Sequence, residues 1–305
     1  MLNLVWVDEL DGSALDEVRA LLLAAREVDG RPEVDAGGPL PDEFSGGLHL
    51  LAHAESDLVG YAHLDTTGDS FGRQVAELIV RPDRRHRGFA TQLVEALVDK
   101  AGAVVSQDKL RVWSHGDHPA AARIAERAGF TRARELLVMH APVAESDWPE
   151  PSLPQGVTLR TFVPGQDEQA VVDVNARAFD WHPEQGALTV EELRATEEED
   201  WFDAAGFFLA ERDGKVIGFH WTKVHPADPD RFDGEPVGEV YVVGVDPGAQ
   251  GGGLGRALTL AGLRHLRERG LGHVILYVEG DNAPAIAVYS RLGFTRYAVD
   301  VQYAR

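Results

Sequence analysis

The chain contains no cysteine, which removes disulfides, thiolate metal sites and a cysteine nucleophile together. It has no apolar run approaching the ~20 residues that span a bilayer, so no membrane crossing is expected. Residues 1–11 carry no basic region of the kind that opens a secretory signal, and a cytoplasmic protein is expected. Positive charge is also scarce: 29 Lys and Arg against 50 Asp and Glu leave a formal net charge of −21. Nucleic acid and anionic membrane are polyanions, so neither is an expected partner. A phosphorylated ligand would have to be held locally, by backbone amides and a few arginines. The 12 histidines form no His-Glu-x-x-His and no close pair with carboxylates at ligand spacing, so no metal is expected. No Gly-x-Ser-x-Gly elbow offers a serine nucleophile.

What the chain does hold is organised around residues 239–256. The first part, 239–245, is β-branched and aromatic and reads as a buried strand. Asp246-Pro247-Gly248 ends it, because proline cannot donate to a ladder and Pro-Gly is turn chemistry. Gln250 to Gly255 leads into a helix with apolar residues at 258, 260, 263 and 266 on one face. A strand, a glycine-rich turn and a helix N-terminus in that order make an anion site, from exposed amides and the helix dipole. The Walker pattern fails at Arg256-Ala257, where it requires Lys and then Ser or Thr. A dinucleotide fingerprint from Gly251 or Gly253 needs a small residue at 256 or 258 and meets Arg or Leu.

At 305 residues, 44% of them hydrophobic, the chain has room for two domains. The first half reads as strand 4–7, helix 13–26 capped by Ser13, a Gly/Pro-rich loop over 29–47, a hairpin 48–54 and 59–64, strand 75–80 and a helix entered through Arg84 to Ala90. The second half repeats that order. Pro82 and Pro247, like Gly88 and Gly253, stand 165 positions apart; Ala121 and Ala285, like Gly129-Phe130 and Gly293-Phe294, stand 164 apart. Two copies of one domain are expected, 1–140 and 157–305, joined by a proline-bearing linker over 141–156. In the second copy Thr189-x-x-Glu192 predicts a capping box, and Asp213-Gly214 predicts a hairpin turn.

The turn Gln250-x-x-Gly253-x-Gly255, followed by Asn282-x-x-Ala285-x-x-x-Tyr289-x-x-x-Gly293-Phe294, resembles the GNAT family of acetyl-CoA-dependent N-acetyltransferases. The resemblance implies an α/β fold of the mixed-sheet, α+β kind, with two tandem GNAT domains and acetyl-CoA as co-substrate. It places Val243, Gly244, Val245, Gln250, Gly251, Gly252, Gly253, Leu254, Gly255, Arg256, Asn282 and Ala285 along the cofactor. In the first copy the matching positions are Ile79, Val80, Arg85, Arg87, Gly88 and Ala90.

Acetyl transfer from a thioester needs a group to take the amine's proton, a donor for the oxyanion and a proton for the thiolate. Glu239, a carboxylate in an otherwise apolar strand, is the expected base; its other reading is a strand-edge carboxylate in solvent or paired with Lys223. Tyr289 lies two helical turns after Asn282 and is the expected acid; its other reading is a core tyrosine. The first copy has His118 where the second has Asn282, Ala125 for Tyr289, and, by the 165-residue offset, Gln74 for Glu239. It is expected to be catalytically degenerate.

The stretches 178–186, 218–225, 238–247 and 276–282 are similar to tandem-domain members of the family that acetylate the cysteine amine of a small-molecule thiol precursor, cysteinyl-glucosaminyl-inositol. This resemblance implies Asp35, Glu184, Lys223, Glu239 and Tyr277 lining the acceptor pocket, and a monomer is expected. Trp181, Trp201 and Trp221 either stack on sugar faces or belong to the core. The competing readings are acetylation of another small amine or a peptide N-terminus, and a non-catalytic acetyl-CoA-binding module.

Overall fold

A computed structural model describes residues 2–32, 34–69, 71–102, 110–182, 185–228 and 231–305. The chain forms two compact units, residues 1–135 with 299–305, and residues 136–298. This partition differs from the expected cut at 140 and 157, and the difference comes from two strands that each straddle a unit boundary.

In unit 1 the strands β1 (Leu2–Val7), β2 (Leu48–Ala54), β3 (Asp57–Asp65), β4 (Gln74–Val80) and β5 (Leu110–Ser114) lie side by side in that order. The sheet is antiparallel except for β4 on β5, and residues 301–304 of β12 (Thr295–Ala304) add antiparallel to β5. Helix α1 (Gly12–Asp29) presents Val18, Leu21, Leu22 and Ala25 at helical spacing, and the first three join a core with Leu51, Leu58 and Tyr61. Its cap is Asp11, whose carboxylate accepts from the Ala14 N–H, so the helix begins ahead of the expected Ser13 cap. Helices α2 (Phe89–Gly102) and α3 (Pro119–Arg127) complete the unit.

In unit 2 the order is the later half of β6 (Thr131–Pro142), then β11 (His273–Glu279), β10 (Val237–Val245), β9 (Lys215–His225), β8 (Phe207–Arg212) and β7 (Val157–Thr161). Helix α4 (Glu168–Ala178) and the short α5 (Val190–Glu197) cover one face; α5 starts on the predicted Thr189–Glu192 capping box. Helices α6 (Leu254–Glu268) and α7 (Ala283–Arg291) cover the other, where Leu260, Leu263 and Leu266 meet Val240, Val274, Leu276 and Val278. Each unit's sheet is therefore finished by a strand segment encoded in the other half of the sequence.

The stretch 141–156 is no free linker. Trp148, 1% exposed, sits in the α6 core and donates its indole N–H to the Leu292 carbonyl, while Arg264 and Arg267 donate to its own carbonyl. A buried indole with a satisfied N–H contributes several kcal/mol, about 3–5 by the usual cost of truncation. Proline content signals restricted φ, not a lack of packing.

Candidate active site

The β10–β11 ladder of unit 2 opens partway along. The two strands pair in parallel from Val237–His273 to Val240–Leu276 and no further. Beyond that point β10 keeps pairing with β9 as far as Val245, and β11 keeps pairing with β6 as far as Glu279. Among the described residues, 242–245 and 277–279 thus face each other across a wedge with no strand between them. Backbone polar groups need partners, so an extended ligand carrying its own amides suits the gap.

A β-bulge at Tyr241 begins the wedge: Val240 faces Thr222 and Val242 faces the next residue, Trp221, leaving Tyr241 extra. The bulge also resets the faces. Val240 points to the α6 leucines, Tyr241 and Val242 turn to Trp221 on the α4 side, and Val243 returns to the α6 core. Gly244 is required on the α4 side, where a Cβ would stand 2.5 Å from the Phe219 ring. Its smallness serves that packing directly.

The turn after β10 is built to bare amides. Asp246 accepts from the Gly248 N–H, and Gln250 Nε2 reaches back 3.2 Å to the Val245 carbonyl. Gly251 and Gly253 sit at φ 86° and 83°, the left-handed region that disfavours side chains. Gly253 is the N-cap of α6 and no side chain caps that end, so the first-turn amides stay open for an anion. Leu254 is buried and anchors the helix start, while Gly252 and Arg256 are exposed and Gly255 is half-buried. Downstream, the Asn282 carboxamide oxygen accepts from the Ala285 N–H and caps α7, and Ala285 packs on the α6 core.

Glu239 lies on the wedge's paired end, 5% exposed. Its neighbours Gly238 and Val240 face α6, so its carboxylate points to the opposite, α4 face. Lys223 is its cross-strand partner in the ladder, but the Lys223 ammonium lies over the Trp201 ring at 4.3 Å and the Tyr241 ring at 5.3 Å. The carboxylate instead meets His225, Nε2 to Oε2 at 2.5 Å. Sequence reading did not find this contact. The available signal was that a residue two positions along the neighbouring strand is a diagonal neighbour on the same face. Alternation on β11 puts Tyr277 on this face too, since Leu276 and Val278 both enter the α6 core.

Tyr289 is half-buried on α7, on the α6 side of the sheet, 6.0 Å ring to ring from Phe294. Burial pushes its phenol up to about 12. Glu239 and Tyr289 thus stand on opposite faces of one sheet, whose β10–β11 ladder is still paired at Glu239–Ile275 and opens only past Val240–Leu276. Of the other acceptor-pocket residues, Glu184 lies outside the described residues. Asp35 is an exposed residue of unit 1 whose backbone carbonyl accepts from Arg19. Trp221 and Trp201 belong to an aromatic cluster with Phe207 and Phe202, whereas Trp181 is exposed.

Unit 1 repeats the turn closely. Arg85 Nε reaches 3.1 Å to the Val80 carbonyl, as Gln250 reaches Val245, and His86 and Gly88 take φ 61° and 82° as Gly251 and Gly253 do. The Arg85 guanidinium is also held by Asp29, Arg87 is exposed, and Ala90 and Ile79 are half-buried. The β4–β5 ladder likewise stops at Ala76–Val112, but β4 runs beside β3 with no bulge. The missing bulge residue shifts the correspondence by one: Ala76 matches Val240, so Val75, not Gln74, stands where Glu239 does. Gln74 lies on the α2 side, 3% exposed, with neither amide atom hydrogen-bonded. His118 caps α3 by accepting from the Ala120 N–H.

These features are those of an acyl-transfer fold present twice, and comparison with known proteins agrees. The pattern of the acetyltransferase (GNAT) family matches residues 15–130 and 175–294, and the chain belongs to that family. It is similar along its whole length to the mycothiol acetyltransferase of Saccharomonospora viridis, 68% identical over 100% of this chain and 99% of the relative. It is 65% identical to the mycothiol acetyltransferase of Amycolatopsis mediterranei over 98% of each chain. Among solved structures, a GCN5-related N-acetyltransferase from Sphaerobacter thermophilus superposes with a TM-score of 0.69 at 22% identity, covering 99% of this chain and 95% of that one. A tandem GNAT protein from the clavulanic acid pathway gives 0.68 at 19% identity, covering 100% and 98%. Among the described residues no group of three or more His, Asp or Glu is placed to hold a metal, and no helix is long and apolar enough to cross a membrane.

Proposed function

We infer that this chain transfers acetyl from acetyl-CoA to the cysteine amine of cysteinyl-glucosaminyl-inositol, the last step of mycothiol biosynthesis. The observation that carries the reading is the wedge between β10 and β11, with an uncapped helix N-terminus at one end and a buried carboxylate at the other. The residues present fit acetyl-CoA: the Gln250–Gly255 amides suit a pyrophosphate, and the open edge at Val243, Gly244 and Val245 suits a pantetheine arm. With the thioester at the wedge, the acceptor amine approaches on the α4 face. An α-amino group titrates near ~8, so a modest base is enough at neutral pH. Glu239 takes the amine's proton, directly or through a water, and a backbone N–H of the open edge supports the oxyanion.

The amine lone pair forms the C–N bond, the C–S bond breaks, Tyr289 donates to the departing sulfur, and the second proton lost by the nitrogen restores the phenol. A free thiol titrates near ~8.5, so a phenol raised to about 12 remains protonated and donates as the sulfur charge grows. Lys223, Tyr277 and Glu184 are assigned to the acceptor's polar groups. The unit 1 turn, with Ile79, Val80, Arg85, Arg87, Gly88 and Ala90, is assigned as a second acyl-CoA site without chemistry. We take the enzyme to work as a cytoplasmic monomer. The deciding assay is CoA release from acetyl-CoA with cysteinyl-glucosaminyl-inositol. Release with other amines and none with this one would sink the acceptor assignment; no release with any amine would favour a binding module.

A further inference from the structure

We propose that His225 is the proton outlet of Glu239. The idea rests on the reading of Glu239 as the base, and it answers a problem of stoichiometry. An ammonium nitrogen loses two protons in becoming an amide. One ends on the CoA sulfur and the other must reach water in every turnover. Glu239, which receives it, is 5% exposed and sits in a strand whose neighbours are apolar. A proton parked there blocks the next cycle until it leaves.

The geometry offers a route. His225 Nε2 is 2.5 Å from the Glu239 carboxylate, and the His225 side chain is 25% exposed against 7% for the Glu239 side chain. The ring therefore touches the buried base with one nitrogen while part of it reaches solvent. In the step, the Glu239 carboxylic acid passes its proton to Nε2, the imidazolium releases one from Nδ1 to water, and the ring resets by exchange with water. No bond other than N–H and O–H changes, and no electrons are transferred. Histidine is suited to this because its ordinary pKa lies near neutrality.

Neighbouring groups leave the route to His225. Lys223, on the same strand and face, holds its ammonium over Trp201 and Tyr241. His273 on β11 lies in the same row across Val237, but its Nδ1 meets His140 Nε2 of β6 at 3.0 Å. The Glu279 carboxylate, further along β11, faces His182 at 3.6 Å. Asp228 and Arg231 follow in the loop after β9, where the Asp228 carbonyl accepts from the Arg231 N–H and the Arg231 guanidinium lies 5.4 Å over the Phe232 ring.

His225 is a positioning and relay residue that acts through Glu239, so the test needs a readout that loss of structure would not move. We would compare His225→Gln, His225→Ala and Glu239→Gln in full-length protein, with acetyl-CoA affinity as the check on folding. Both His225 variants should lose roughly tenfold or more in kcat, the scale of a lost proton-transfer group, with acetyl-CoA affinity kept. Their rates should become dependent on buffer concentration, and added imidazole should restore part of the His225→Ala rate but none of the Glu239→Gln rate. A wild-type rate in His225→Gln overturns the relay, as does a deficit in His225→Ala that neither imidazole nor buffer relieves. If His225→Ala does not fold, the rate and buffer dependence of His225→Gln decide alone. Full activity in Glu239→Gln would overturn the base assignment itself, an outcome separate from loss of the relay only.

Discussion

Unit 1 and unit 2 share a turn and part with each other one strand earlier. Their glycine turns agree in backbone down to the two left-handed positions, although unit 1 fills one of them with His86. A non-glycine residue at φ 61° is held there at some cost, which the surrounding turn must over-determine. Both parallel ladders also open at the same row, Ala76–Val112 and Val240–Leu276. What differs is the single extra residue at Tyr241. The bulge lets Val240 face the α6 core and Val242 the α4 face, which turns the open edge of β10 while leaving Glu239 on the α4 face.

In unit 1 the regular strand puts Glu77 where the wedge opens, and there it is bound up. His115 stands between Glu77 at 3.2 Å and Asp300 at 3.3 Å, and Asp300 also accepts from the Gly116 N–H. Burial opposes charge on that imidazole, but the two carboxylates outweigh it and hold it up at about 10. Among the described residues no strand fills the unit 2 wedge; at the mouth of the other an ion triad is tied. The lesson is that duplication preserves a turn more readily than it preserves a strand register.

The comparison can be broken most sharply at the base. Glu239→Gln should lower kcat by about 10²–10⁴, the usual contribution of a positioned proton acceptor, whereas Val75→Glu in unit 1 should create no second activity. Measurable turnover by Val75→Glu in a Glu239→Gln background would show that the bulge is not what separates the units. Next comes Tyr289→Phe, expected to cost roughly 10²-fold in kcat with acetyl-CoA affinity unchanged by calorimetry. An unaltered kcat would return Tyr289 to the core.

Gly253→Val follows, since a β-branched residue at φ 83° costs about 1–3 kcal/mol and crowds the open amides. It should weaken acetyl-CoA binding by about tenfold or more in unit 2, read as the loss of one class of site in a titration. The smallest effect should be at His115→Gln, read in thermal melts. A histidine whose folded pKa is raised stabilises fully below its unfolded value near ~6.5 and loses that contribution as pH rises through about 10. The variant should therefore melt lower than the parent at pH 6, and the gap should close toward pH 10. A gap that widens with pH would contradict the triad.

Much of the site was legible beforehand because it depends on local chemistry. Turn glycines, the proline that ends a strand and the apolar stripe of α6 act over a few residues, and all stand where expected. Glu239 was legible as a carboxylate among apolar residues, but its partner was not: the residue across the ladder is Lys223, and the contact is to His225. The offset that matched Gln74 to Glu239 failed because a bulge changes register without leaving a turn or breaker in the sequence. The proline-rich stretch around Trp148 reads as a linker by composition and is packed by virtue of one indole.

By itself, then, the amino-acid sequence determined the elements, the repeat and the glycine-rich turn, because propensity, capping and periodicity are properties of neighbouring residues. Only the tertiary structure decided which strand completes which sheet, since residues 136–142 and 299–305 each finish the unit built mostly from the other half of the chain. It also decided which face Glu239 occupies and that His225 meets its carboxylate. Edge pairing and a one-residue register change are settled by burial between distant segments, and nothing local to either segment encodes them.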